Sequence, residues 1–142
     1  MNASPAERFR AYWEGLTPSG VACIGEHYTE DATFTDPFND VRGLAAIGRI
    51  FGHMFESLEA PRFQIVAMIE GEGEAFFTWD FHFRIRKYQP GRSWKIHGAT
   101  HVRFAADGRV QCHRDYWDAA GELYAKLPVV GGLMRWLARR FA

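Results

Sequence analysis

Two tyrosines and an aspartate stand at spacings that suit a small acid–base site. Tyr12 precedes Tyr28 by sixteen residues, and Asp36 follows Tyr28 by eight, directly before Pro37. A carboxylate in an apolar pocket can take a proton from carbon, and a phenol can donate a hydrogen bond to the oxyanion that then forms. These residue types could therefore carry out proton transfer on a carbonyl compound without a cofactor.

The run from Tyr28 to Phe38 resembles the stretch Y-A-D-D-A-T-V-E-D-P-F of ketosteroid isomerases. This resemblance implies that Asp36 is the base that moves a proton between carbons. It also implies that Tyr12 donates to the oxyanion of the substrate and that Tyr28 hydrogen-bonds Tyr12. Phe51 stands where the family has a third tyrosine, so the hydroxyl of that tyrosine is missing here.

A second segment, residues 98–104, resembles the stretch V-I-D-V-M-R-F of the same family. In this chain His101 replaces the carboxylic acid that gives the second hydrogen bond to the oxyanion. A histidine can donate as well, but it titrates near neutral pH, so we expect His101 to act as a donor with an altered pH profile. The pair Tyr116-Trp117 resembles a closing A-Y-W, which implies that Trp117 lies on the pocket wall.

The periodicity of apolar residues changes once along the chain. Before Pro61, apolar residues recur at helical spacing in three segments, and the third stripe includes Phe51 and Phe55; after Pro61 the period is two. Three helices followed by four long antiparallel strands predict an α+β fold. The order resembles the nuclear transport factor 2-like (NTF2-like) fold, also called SnoaL-like or cystatin-like. That fold implies three N-terminal helices packed in a strongly curved, mostly antiparallel sheet that encloses a conical pocket.

We expect a single domain over residues 1–142, with a core of about 5–119 and a C-terminal helical extension over 120–142. The extension interleaves apolar residues with Lys126, Arg135, Arg139 and Arg140, as a basic amphipathic helix does. We expect this helix to pack on the barrel or to cover the mouth of the pocket. Peripheral contact with a membrane is the less favoured alternative.

Strand alternation decides which other ionisable groups share a face with His101. An inward His101 carries His97 with it, and an inward Trp117 carries His113 and Asp115. The ionisable side chains then expected on the concave surface are His82, His97, His101, His113, Asp36, Asp80 and Asp115. The expected substrate-binding residues are Tyr28, Phe51, Phe55, Asp80, His82, His113, Asp115 and Trp117. An Asp–His pair with tyrosines resembles scytalone dehydratase, another enzyme of this fold.

Simpler interpretations of the same residues stay open. Asp36 could be a turn residue whose carboxylate caps amides before Pro37, and Tyr12 could be ordinary helix core. The aromatic stripe Phe77, Trp79, Phe81 and Phe83 is expected on the opposite side of the sheet, where it would form a homodimer interface. If the sheet faced the other way, this stripe would be the wall of an apolar ligand cavity.

Composition narrows the choice of function. The formal net charge is zero, which argues against a nucleic-acid binder. The two cysteines, Cys23 and Cys112, show no metal or redox spacing, no histidine motif typical of a metal site occurs, and the N-terminus has no signal-peptide pattern. We therefore expect a cytoplasmic protein that uses neither a metal nor a cofactor.

The sequence as a whole favours an enzyme of the ketosteroid-isomerase type, an isomerase or a lyase. Its reaction would be a proton transfer, either an isomerisation or a dehydration or cyclisation, on a hydrophobic carbonyl or hydroxyl substrate. Asp36, Tyr12 and His101 are the expected catalytic residues. The alternative is a non-catalytic binding or accessory protein for a hydrophobic small ligand, since this fold hosts many functions.

Overall fold

The computed structural model describes residues 2–142 and shows one sheet of six strands with helices on its concave side. The helices are α1 (Pro5–Glu14), α2 (Pro18–Ala22), α3 (Leu44–Ser57), α4 (Ala119–Glu122) and α5 (Val130–Phe141), with 3-10 turns at Ile24–Glu26 and Tyr124–Lys126. The strands are β1 (Tyr28–Thr35), β2 (Asp40–Arg42), β3 (Leu58–Gly71), β4 (Glu74–Ile85), β5 (Trp94–Phe104) and β6 (Val110–Trp117).

The strand order is β2-β1-β6-β5-β4-β3. Strands β1 and β6 pair in parallel, and the other pairs in the described sheet are antiparallel. The predicted α+β architecture, with a mostly antiparallel sheet and helices at the N-terminal end, is therefore confirmed. Within residues 2–142, no helix has the length and apolar character needed to cross a membrane.

Helix α1 begins at a capping box. The amide of Glu7 donates to the Ser4 hydroxyl at 3.1 Å, and the amide of Ser4 donates to the Glu7 carboxylate at 2.8 Å. Pro5 occupies the first helical position, where no amide hydrogen is needed. Helix α1 buries Phe9 and Trp13 against the sheet.

The concave face of the sheet carries the large apolar side chains of β4 and β5. Its inward residues on these strands are Ala75, Phe77, Trp79, Phe81, Phe83, Trp94, Ile96, Gly98, Thr100 and Val102. Burying this much apolar area under the helices is the largest favourable term available to the fold. The aromatic stripe therefore lines the inside of the cone, and the prediction that it forms an outer dimer interface is wrong.

The outer face of the sheet exposes a different set of apolar residues: Val66, Ile69, Phe76 and Tyr116. Near them lie the charged and imidazole side chains of β4 and β5 that alternate with the inward residues. A homodimer through the outer sheet face stays a prediction, with these residues in place of the aromatic stripe.

Gly98 is required by a close approach at the centre of the sheet. A Cβ atom at this position would lie 2.5 Å from the ring of Trp79 and 3.0 Å from Cβ of Trp117. The absence of a side chain lets the indole of Trp79 lie across β5 and reach Thr100, to which its Nε1 donates at 2.7 Å. The hydroxyl of Thr100 is thereby oriented toward β6.

The residues after β6 form a separate helical segment. Helix α5 packs on the 3-10 turn Tyr124–Lys126: Gly131 lies close to the carbonyl oxygen of Ala125, and Arg135 Nη1 donates to that oxygen at 2.8 Å. Lys126 connects the turn to the sheet by donating to the carbonyl oxygen of Lys95 at 3.2 Å. Leu123 and Leu127 of this segment pack against the core, and Tyr124 contacts Phe38.

Candidate active site

The cone contains an apolar cavity of about 280 Å³ between α1, α3 and the sheet. Its walls include Phe34, Phe51, Phe63, Phe81, Ile96 and Trp117. Asp115 lines it from β6, and Asp36 and Phe38 lie at its more exposed side. Asp36, Asp115 and Trp117 also border an open groove of about 470 Å³ beside the ends of β1 and β6, so the cavity reaches the surface on that side.

A continuous chain of hydrogen bonds runs beneath this cavity. The Tyr28 hydroxyl lies 2.7 Å from His113 Nδ1, and His113 Nε2 lies 2.7 Å from Asp115 Oδ1. The Thr100 hydroxyl donates to the same Asp115 oxygen at 2.5 Å and accepts the hydrogen of Trp79 Nε1. Side chains from four strands therefore form one network, in which His113 and Thr100 bond directly to the same carboxylate oxygen.

The tautomer of His113 is assigned from its hydrogen-bond partners. Burial, followed by the charge of Asp115, raises the pKa of Tyr28 well above its ordinary value of 10.0, so this phenol keeps its proton. Its hydroxyl donates to Nδ1, and we assign the ring hydrogen of His113 to Nε2, from which Asp115 accepts it. The pair is thus oriented by Tyr28 in the way that a third group orients a catalytic base.

Asp115 has one oxygen free for chemistry. His113 and Thr100 occupy Oδ1, whereas no residue between 2 and 142 donates a hydrogen bond to Oδ2. The side chain is 9% exposed and lines the apolar cavity. A fixed carboxylate with an unoccupied oxygen in such surroundings can accept a proton from a bound molecule or return one to it.

His101, the predicted second oxyanion donor, lies on the outer face of the sheet. Its Nε2 contacts the carboxylate of Glu74 at 2.7 Å, and its ring stacks on Phe76 with 4.1 Å between centroids. Alternation on β5 turns Thr100 and Val102 inward instead. Because the period of a strand is two, an assumption that is wrong by one residue reverses every side chain.

The same reversal removes Asp80 and His82 from the cavity. Asp80 Oδ1 contacts His97 Nδ1 at 2.8 Å on the outer face, and Lys95 lies 3.9 Å from its other oxygen. The hydrogen bond with His97 is the main reason that the pKa of Asp80 is lowered. His82 follows Asp80 on the same outward set of β4, so neither residue is placed to contact a ligand in the cone.

The carboxylate of Asp36 stabilises a turn. It accepts hydrogen bonds from the amides of Phe38 and Asn39, at 2.8 Å and 2.7 Å, and from the side-chain amide of Asn39. This is the local capping role that the sequence left open beside the catalytic one. Asp36 borders the cavity, but its carboxylate is occupied by the turn that leads from β1 to β2.

Tyr12 points away from the cavity. Its hydroxyl donates to the carbonyl oxygen of Gly20 at 2.9 Å, and its ring stacks on His27 with 3.8 Å between centroids. Burial at this position raises the pKa of Tyr12 to about 12. The structure therefore does not bring Tyr12, Asp36 and His101 together, and the oxyanion site that the ketosteroid-isomerase resemblance implies is not assembled.

The remaining predicted residues divide between two places. Phe51 and Trp117 line the cavity, and Tyr28 and His113 lie beneath it. Phe55 faces a groove beside α2 on the other side of α3 and does not line the cone.

Three residues of the site carried no chemical signal in the sequence. Trp13 lies beside the cavity because it follows Tyr12 by one position on a helix, and Trp79 and Thr100 belong to the inward face of the reversed strands. Correct strand phase would have identified the last two. Across residues 2–142, no three His, Cys, Asp or Glu side chains converge closely enough to hold a metal ion.

The chain belongs to the SnoaL-like domain family, whose model matches residues 7–113. This confirms the family that the sequence predicts. No curated protein matches the sequence significantly.

Solved structures with the same fold cover most of the chain. An NTF2-like protein of unknown function from Burkholderia pseudomallei superposes with a TM-score of 0.72 at 16% identity, over 84% of this chain and 95% of that one. A protein from Shewanella putrefaciens, assigned as a SnoaL-like polyketide cyclase, gives 0.71 at 18% identity, over 87% and 98%. An M. tuberculosis epoxide hydrolase of the LEH-like type gives 0.70 at 12% identity, over 94% and 91%. At these identities the likeness shows the fold alone, and it confirms the NTF2-like architecture.

Proposed function

We propose that this protein is a cofactor-independent enzyme that moves a proton on a hydrophobic carbonyl or hydroxyl compound bound in the cone. The observation that supports this most directly is the Asp115 carboxylate, which is held on one oxygen and unoccupied on the other at the wall of an apolar cavity. Asp115 takes the role of base that the sequence assigns to Asp36. The reaction class is isomerisation, dehydration or cyclisation.

The proton transfer follows from this arrangement. The Asp115 carboxylate accepts a proton from a carbon next to the carbonyl, and the electron pair of the broken C–H bond moves into the enolate. The resulting carboxylic acid returns the proton to another carbon or to a leaving oxygen. His113 and Thr100 position Asp115 by holding its second oxygen, and Tyr28 orients His113.

The cavity walls support a hydrophobic class of substrate. Aromatic and aliphatic side chains surround a volume of about 280 Å³, which suits a molecule of two or three fused rings more than a charged metabolite. Apolar walls also exclude water from the enolate. The polyketide cyclase and epoxide hydrolase with the same fold show that this architecture accommodates small-molecule chemistry, although their substrates are their own.

The test is hydrogen–deuterium exchange at the activated carbon of β-tetralone, a bicyclic aromatic ketone, followed by proton NMR in D₂O. We expect exchange above the buffer rate with the wild-type protein and a loss of about a hundredfold with Asp115→Asn, since a positioned general base contributes 10²–10⁴. Glu74→Gln, which alters the outer His–carboxylate pair, is the matched control and should leave the rate unchanged.

Equal exchange by the wild-type protein and Asp115→Asn would contradict the proposal. The second candidate function, a non-catalytic carrier of hydrophobic ligands, rests on the predominantly apolar lining of the cavity. It predicts that β-tetralone binds the wild-type protein and Asp115→Asn with equal affinity and that neither accelerates the exchange.

A further inference from the structure

The cavity borders a second polar group that the proposed reaction leaves unused, the indole N–H of Trp13. Trp13 is buried on α1 and lines the cavity, and its Nε1 meets no hydrogen-bond acceptor within residues 2–142. A buried donor without an acceptor destabilises the folded protein, so native structures rarely contain one. An acceptor supplied by a ligand would remove this cost.

The position of Trp13 relates it to the proton-transfer site. Its ring meets His113 edge-on, with 5.2 Å between centroids, and it packs against Phe51 and Phe63 at 5.1 Å and 4.5 Å. His113 in turn holds Asp115. The unpaired donor and the free carboxylate oxygen therefore belong to residues that contact the same histidine and line the same cavity.

We propose that Trp13 Nε1 donates a hydrogen bond to an oxygen atom of the bound substrate. An indole nitrogen can only donate, so the ligand atom must be an acceptor, such as a ketone oxygen. Under the proposed function, on which this inference rests, that oxygen gains negative charge as Asp115 removes the neighbouring proton, and the hydrogen bond strengthens. Trp13 thus takes the place in the site that the resemblance assigns to Tyr12, and it selects oxygen-bearing polycyclic ligands over plain hydrocarbons.

A second tryptophan in the same chain provides a matched control. Trp94 is also buried, and its Nε1 also meets no acceptor within residues 2–142. It does not line the cavity, and Arg92 lies over its ring at 3.9 Å. Replacing either tryptophan by phenylalanine removes one unpaired buried N–H, but only Trp13 is a residue that lines the cavity.

The experiment compares β-tetralone with tetralin, the same ring system without the oxygen, by ¹⁵N–¹H NMR titration. We expect the wild-type protein to bind the ketone about tenfold more tightly, the effect of one buried hydrogen bond. The indole resonance of Trp13 should move downfield with the ketone and not with tetralin. In Trp13→Phe the affinity ratio should fall to near one, and in Trp94→Phe it should persist.

Equal affinity of the wild-type protein for the two compounds, or no binding of either, would overturn the inference. So would an unchanged ratio in Trp13→Phe. The wild-type titration needs no variant, so poor folding of Trp13→Phe does not remove the test. The outcome is separate from that of the exchange assay: an affinity ratio that depends on Trp13, with exchange that does not depend on Asp115, would reject the proposed reaction and keep the ligand contact.

A second inference rests on α5 and is independent of the cavity. Apolar side chains stand exposed along the helix and just before it: Val129 is 92% and Phe141 88% exposed, and Leu133 and Trp136 are about half exposed. The helix carries Arg135, Arg139 and Arg140 and no acidic residue. Its apolar face and its positive charge are thus both presented to the surroundings.

We infer that α5 lies on the surface of an anionic lipid bilayer. Exposed tryptophan and leucine can enter the headgroup region, and exposed arginines complement anionic headgroups. A second copy of α5 is a poorer occupant, because it would bring two sets of arginines together without a compensating acidic group. Arg140 lies over the ring of Trp136, with 5.9 Å between the guanidinium carbon and the ring centroid. A positive charge and an apolar ring are therefore adjacent on the helix.

Vesicle co-sedimentation of the full chain tests this inference. We expect binding to phosphatidylcholine vesicles that contain about a third phosphatidylserine, and no binding to phosphatidylcholine alone. Trp136→Ser should abolish the binding, and Arg139→Gln should weaken it about fivefold, the value of one basic residue near an anionic surface. Phe76→Ser, which alters an exposed aromatic residue on the outer sheet face, should bind as the wild type does. Two results would overturn the inference. The protein could fail to sediment with the anionic vesicles, as expected if α5 binds an acidic protein instead, or its binding could be unaffected by Trp136→Ser.

Discussion

The two faces of the sheet carry the same chemical pair in different surroundings. Inside the cone, His113 contacts Asp115 at 2.7 Å; outside, His101 contacts Glu74 at the same 2.7 Å. The inner side chains are 0% and 9% exposed, and the outer ones are 20% and 40% exposed. Distance therefore does not distinguish the two pairs, whereas burial does.

Burial changes what the pair can do. In a buried site the local dielectric is low, so each hydrogen bond is stronger and each unpaired group costs more. The inner pair is extended by Tyr28 and Thr100 into a network with one free oxygen, while solvent can replace either partner of the outer pair. Acid–base chemistry is therefore favoured on the inner face, where burial limits the access of water to the carboxylate.

The largest expected difference between the faces is in stability. Asp115→Ala should lower the free energy of unfolding by about 3 kcal/mol, because it leaves the Nε2 hydrogen of His113 and the hydroxyl of Thr100 without an acceptor. Glu74→Ala should cost less than about 1 kcal/mol, as exposed pairs do. Urea unfolding of both variants measures the difference. Equal losses of stability in the two variants would show that burial does not distinguish the two pairs.

The next effect concerns the hydroxyl groups of two tyrosines. Tyr28→Phe should cost about 2 kcal/mol, because His113 Nδ1 loses its buried donor. Tyr12→Phe should cost about 1 kcal/mol or less, since the carbonyl oxygen of Gly20 beside that half-buried phenol can turn to water. Thermal or urea unfolding gives both values. A larger cost for Tyr12→Phe would show that the helix contact matters more than the network.

A smaller effect should appear at alkaline pH. The pKa of Tyr28 is raised well above 10.0 in the folded protein, chiefly by burial, and that of Tyr12 is raised to about 12 for the same reason. The unfolded chain then loses these protons at lower pH than the folded one, so stability is fully present below pH 10 and falls as the pH rises above it.

Unfolding measured between neutral and alkaline pH should show this decline. The decline should be shallower in Tyr28→Phe, which lacks one of the two phenols. A decline that is identical in the wild-type protein and in Tyr28→Phe would argue against a buried, protonated Tyr28.

The smallest effect belongs to the second outer pair. His97→Ala should raise the pKa of Asp80 toward its ordinary value, because it removes the hydrogen bond that is the main cause of the lowered pKa. Carboxyl NMR titration of Asp80 measures this change. Global stability should change by less than about 0.5 kcal/mol, since the imidazole is 55% exposed. A larger loss would show that the outer face is structurally coupled to the core.

Much of the fold could be predicted from local patterns. The change of period after Pro61 and the family resemblance led to the correct architecture. The inward direction of Asp115 and Trp117 on β6 was also predicted, because the family resemblance places Trp117 on the pocket wall and Asp115 precedes it at a spacing of two.

The phase of β4 and β5 could not be derived in the same way. Alternation groups residues into two faces, but it does not say which face is concave. The prediction assumed that one residue, His101, points inward. In the structure the inward face is the one with the larger apolar side chains, among them Trp79, Ile96 and Val102. Weighing the two sets of side chains by buried area would have chosen the correct face.

A similar limit applies to α1. Tyr12 and Trp13 are adjacent, so they differ by about 100° around the helix, and a small rotation decides which of them faces the cavity. The packing of Phe9 and Trp13 against His113 and Phe77 settles that rotation. These contacts join residues 68 to 104 positions apart, which no local spacing can specify.

The sequence by itself determined the elements, their order and the family, because caps, turns and periodicity are local properties of the chain. It also determined which chemical groups are available to a site. Only the tertiary structure decided that Asp115, rather than Asp36, keeps a carboxylate oxygen to which no residue between 2 and 142 donates a hydrogen bond. The physical reason is that the availability of a polar group depends on which partners the folded chain brings within hydrogen-bond distance, and those partners come from several separate strands.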